Sequence, residues 1–68
     1  MKAIELRTSF EEWTKAESFV KAHQAEDTFI YQLDNVTMII VTDGEYSMDY
    51  IKSAILFTFE EYYIKELK

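Results

Sequence analysis

Two runs rich in β-branched and aromatic side chains, TFIYQLD at Thr28–Asp34 and VTMIIVT at Val36–Thr42, meet at Asp34-Asn35. Such residues favour strands because branched and ring side chains pack well on a pleated, half-buried surface. Asp and Asn tolerate the backbone of a tight turn, so Thr28–Thr42 is expected to form an antiparallel hairpin turning at Asp34-Asn35. A two-residue loop pairs Leu33 with Val36, Tyr31 with Met38 and Phe29 with Ile40, and puts all six on the core side. The opposite face then holds Ile30, Gln32, Thr37, Ile39 and Val41, which is not a polar set.

The elements around the hairpin follow from periodicity. Lys2–Arg7 alternates, with Ile4 and Leu6 on one face and Glu5 and Arg7 on the other, as a half-buried strand does. Ser9-Phe10-Glu11-Glu12 matches a capping box and opens an expected helix over Phe10–Gln24, with Phe10, Trp13, Ala16, Phe19 and Val20 as its apolar stripe. Glu11 with Lys15 and Glu17 with Lys21 are spaced for i,i+4 ion pairs on its surface. After the turn Asp43-Gly44-Glu45, Ser47 is expected to cap a second helix over Met48–Leu67, with Asp49 near its start and Lys65 and Lys68 near its end to suit the macrodipole. The expected order is β-α-β-β-α: an α+β domain of a small antiparallel-rich sheet with two helices.

The chain has 68 residues, so this is a single domain over 1–68. It has no Cys and no Pro, and Gly44 is the sole glycine. Disulfide scaffolds, thiolate zinc sites and glycine-rich phosphate loops are thereby excluded. His23 alone does not make a His-based zinc site, and no cofactor or metal is expected. Adjacent carboxylates such as Glu11-Glu12, Glu26-Asp27 and Glu60-Glu61 point about 100° apart on a helix and do not converge on one substrate atom, so no enzyme is expected. Asp43-Gly44-Glu45 with Asp49 lacks most of the EF-hand loop pattern. No apolar run is long enough to span a membrane, and the chain opens at Met1 without a targeting signal, which fits a cytoplasmic product.

A domain this small buries a modest share of its surface, and oligomerisation is the remaining remedy where staples are lacking. The apolar positions of the last expected helix cover more than one stripe, and the outward hairpin face is apolar too. A homodimer is therefore expected, with Ile30, Ile39, Val41, Phe57 and Tyr63 at its interface.

Charge is distributed unevenly. The net charge is −6, and no Lys or Arg occurs from Ala22 to Ile51, where Glu26, Asp27, Asp34, Asp43, Glu45 and Asp49 all fall. The rest of the chain is balanced. These six acids belong to expected loops, turns, strand ends and a helix start, hence to exposed surface. Carboxylates so placed present a basic groove with charges resembling phosphates and steer association electrostatically, while direct nucleic-acid binding is disfavoured.

A cysteine-free, acidic mini-protein of mixed α/β build with these six acids resembles the small phage-encoded inhibitor proteins that mimic DNA. That group includes inhibitors of uracil-DNA glycosylase, of restriction and CRISPR enzymes, and of the histone-like nucleoid protein HU. The resemblance spans the whole chain and rests on size, charge and architecture. It implies an inhibitor in the cytoplasm of a bacterial host that covers the basic DNA-binding surface of a host protein. A dimeric acidic body suits a dimeric target such as HU. The alternative is a regulatory module that docks on a host enzyme or polymerase subunit through the apolar face of its C-terminal helix. Ionic strength separates the two, because only the first weakens steeply with salt.

Overall fold

The computed structural model describes residues 1–67. The order is β1 (Lys2–Thr8), a 3-10 turn (Phe10–Glu12), α1 (Trp13–His23), β2 (Thr28–Gln32), β3 (Thr37–Thr42), α2 (Glu45–Thr58) and β4 (Tyr62–Glu66). The strands form one antiparallel sheet in the order β2-β3-β1-β4. This β-α-β-β-α-β connectivity is the ferredoxin-like, split β-α-β arrangement.

Strand alternation sends Ile4 and Leu6 of β1, Ile30 of β2 and Met38 and Ile40 of β3 to one face. There they form a single core with Ala16 and Phe19 of α1, Met48, Ile51 and Ile55 of α2, and Phe59. Both helices therefore cover the same face, and the other face of the sheet is open. No helix among the described residues is long and apolar enough to cross a membrane.

The α+β class and the hairpin are as the sequence leads one to expect. The hairpin register is not. Leu33 donates its N–H to Thr37 and Ile30 stands opposite Ile40, so the loop is one residue longer than a two-residue turn. Asp34 causes this: its Oδ1 accepts the Val36 N–H at 2.9 Å and closes a side-chain turn around Asn35. One residue of slip moves every β2 side chain to the other face. Ile30, expected outside, is 3% exposed in the core, whereas Phe29 is 59% exposed.

The expected helix Met48–Leu67 is also corrected. α2 begins earlier, with Gly44 as its N-cap, and ends at Thr58. The segment beyond, Tyr62-Tyr63-Ile64, consists of aromatic and β-branched residues, which favour a strand, and it pairs along the otherwise free side of β1. Tyr62, Tyr63 and Ile64, read onto the helix as part of its apolar excess, belong to this strand, while Tyr50, Leu56 and Phe57 stay exposed on α2. Lys68 lies outside the described residues.

Neither expected cap forms. The Ser9 hydroxyl donates to Glu12, not to a backbone N–H, and the Ser47 hydroxyl donates to Asp27. α1 consequently starts at Trp13 after the 3-10 turn, which leaves Phe10 and Trp13 exposed. Lys15 pairs with Glu12 at 3.1 Å, three residues back, in place of Glu11.

Candidate acidic docking site

The loop after α1 and the loop after β3 run side by side, because the Asp43 N–H donates to the Asp27 carbonyl at 3.1 Å. Five of the six acids from the base-free window are thereby gathered at one end of the sheet: Glu26, Asp27, Asp43, Glu45 and Asp49. All five are exposed. Asp34 does not join them. It sits at the opposite end of β3, about 17 Å away along the strand, where the Val36 N–H and then nearby Thr37 and Arg7 hold its carboxyl below the usual range.

Lysines from outside the window also reach this end. Lys2 stands opposite Thr42 in register and pairs with Glu45 at 3.1 Å, and Lys52 pairs with Glu66 at 2.6 Å. Both pairs are largely exposed and contribute little stability. Glu26, Asp27, Asp43 and Asp49 make no ion pair among the described residues, so the end keeps a negative excess.

Asp27 is the best-placed of these. The Ser47 hydroxyl, and after it the Thr28 hydroxyl, donate to its carboxylate and hold its pKa below the usual carboxylate range. It lines a surface pocket of about 310 Å³ whose other walls include His23, Gln24, Tyr46, Ser47 and Tyr50. The pocket lies where α1 ends at His23 and the first turns of α2 begin. The His23 ring rests on Phe19, 4.4 Å between centroids, and meets Tyr50 edge-on at 6.1 Å. Tyr46 and Tyr50 are one helical turn apart and 90% and 64% exposed. Two aromatic side chains beside a carboxylate suit an organic cation: the carboxylate supplies charge and the rings supply negative faces.

Tyr46, Ser47 and His23 escape a reading of the sequence by charge alone. The i,i+4 spacing of Tyr46 and Tyr50 at the start of an acidic helix is the signal that marks them. The residues expected at a dimer interface do not fall on one surface. Ile39, Val41 and Tyr63 share the open sheet face, Ile30 is in the core, and Phe57 projects from the outward side of α2 at 88% exposure. No trio of His, Cys, Asp or Glu among the described residues is set to hold a metal ion. Comparison of the chain with protein-family models, with curated proteins and with solved structures gives no match.

Proposed function

We propose that this protein is an acidic decoy that binds the basic DNA-binding surface of another protein and keeps DNA from it. The observation that carries the reading is the gathering of Glu26, Asp27, Asp43 and Asp49, exposed and without an ion pair among the described residues, at one end of the sheet. They come from two loops and a helix start that the topology brings together. A groove built to hold rows of phosphates is attracted to such a surface and discriminates poorly between the two kinds of anion. The pocket beside Asp27 adds a specific contact: an arginine or lysine of the partner places its cation between Tyr46 and Tyr50 and against the Asp27 carboxylate. A histone-like nucleoid protein of the HU type is the first candidate target.

Two measurements on one partner test this. Binding of immobilised protein to an HU-type protein weakens steeply as salt rises from about 50 to about 500 mM, because the attraction is between exposed charges. Duplex DNA competes for the same partner. Binding that is indifferent to salt and to DNA contradicts the proposal.

A second reading is favoured by α2 itself. Met48, Ile51 and Ile55 face the core, while Tyr46, Tyr50 and Phe57 lie along the outward side, with Leu56 beside them. An exposed aromatic stripe of this kind suits docking on a host enzyme or polymerase subunit. Such a contact hardly responds to salt, so the same titration separates the two.

A further inference from the structure

The sheet face turned away from the helices is the largest feature that the acidic site does not use. Its cross-strand rows follow from the register. One row runs Phe29, Val41, Ala3; the next runs Tyr31, Ile39, Glu5, Lys65; the third includes Thr37, Arg7 and Tyr63. The β2–β3 half is apolar, with Phe29, Tyr31 and Leu33 each more than half exposed. The β1–β4 half carries the charges, with the Arg7 guanidinium on Glu5 at 3.2 Å. An antiparallel sheet tolerates one solvated face when that face is polar. Here half of it is not, and an apolar patch with a charged rim is the anatomy of a protein interface.

The geometry points to a second copy of this chain as the occupant, packed sheet face on sheet face with the two β2–β3 halves in contact. Charge selects that partner. The protein carries −6 overall, yet this face bears one acid, Glu5, against Arg7 and Lys65. It is therefore the surface on which two acidic copies meet with the least repulsion, and a basic partner is drawn instead to the acidic end. Edge-to-edge pairing along β2 is closed off. The Gln24 side chain bonds both the N–H and the C=O of Ile30, at 3.1 and 2.6 Å, and Ala25 bonds both backbone groups of Thr28. The contact is small: two strands at about 4.8 Å and six residues at about 3.3 Å give roughly 190 Å² in projection for the β2–β3 half, well below a standard interface, so weak self-association is expected, with a dissociation constant on the order of 100 µM.

Sedimentation equilibrium from about 5 to about 500 µM tests this. The native chain is expected to pass from monomer to dimer across that range, no less readily at high salt. Tyr31→Lys is expected to weaken dimerisation at least tenfold, and Phe57→Lys, on the opposite side of the molecule, to leave it unchanged. Should the lysine disturb folding by circular dichroism, the double replacement Phe29→Thr and Tyr31→Thr keeps strand propensity, removes the apolar area and is expected to weaken the dimer equally. A native chain that is monomeric throughout, or a dimer that survives these changes or is lost with Phe57→Lys, overturns the inference. No DNA-binding partner enters these measurements, so they stand or fall apart from the decoy function.

Discussion

Glu12 and Glu60, 48 positions apart in sequence, are joined by a hydrogen bond of 3.1 Å from the Glu60 N–H to the Glu12 carboxylate. The same carboxylate accepts the Glu61 N–H at 3.3 Å, the Ser9 hydroxyl and the Lys15 ammonium. It thus ties the start of α1 to the bend from which β4 departs, and it satisfies backbone donors there. The Glu60 N–H first, then Lys15, Glu61 and Ser9, outweigh desolvation and lower its pKa from 4.5 to about 2.

A carboxyl held this low binds its proton less readily folded than unfolded. Its contribution to stability is complete above about pH 4.5 and is lost as pH falls toward 2. Glu12→Gln is expected to lower the neutral-pH Tm by on the order of 5 °C or more. It is also expected to flatten the acid side of the stability curve in that window. A variant whose Tm keeps the native pH dependence between 4.5 and 2 contradicts this role.

Gln24 stands in for a neighbouring strand at Ile30. Removing its amide in Gln24→Ala leaves an edge N–H and C=O open, at a cost of about 1 kcal/mol. The larger effect is on association, because an unprotected edge templates further pairing. Urea unfolding and light scattering together measure this; a variant that is as stable and as soluble as the native chain rules it out.

These two contacts show where sequence reading stops. Alternation in Lys2–Arg7 and the β-rich runs of the hairpin identify strands, because period and propensity are local. Whether Ile30 or Phe29 faces the core depends on a single side-chain hydrogen bond, Asp34 to Val36, that selects the loop length. Tyr62–Glu66 reads as helix until β1 offers it a free edge. The acids were legible as exposed, since loops and helix starts are wet. Their division into five at one end and Asp34 at the other, and the arrival of Lys2 and Lys52, follow from topology. The pocket between Tyr46, Tyr50 and Asp27 arises only when α1 and α2 lie on the same face.

That pocket makes a separate prediction. Replacing Tyr46 and Tyr50 together by Ala removes two cation–π faces of about 0.5–1 kcal/mol each at exposed sites, and so weakens binding of a basic partner by roughly tenfold. The open end leaves the fold intact. Chemical-shift titration with N-acetyl-arginine amide, with N-acetyl-norleucine amide as the uncharged control, reads the site directly. Equal responses to the two amides contradict cation recognition.

If collective charge at the acidic end binds a basic partner as proposed, displacement of labelled duplex DNA from an HU-type protein measures it most directly. Each exposed carboxylate is worth about 0.2–1 kcal/mol alone, so single replacements matter little. The triple variant Glu26→Gln, Asp43→Asn, Asp49→Asn is expected to keep the fold and to lose displacement by an order of magnitude or more. A folded triple variant that displaces DNA as well as the native protein contradicts the account.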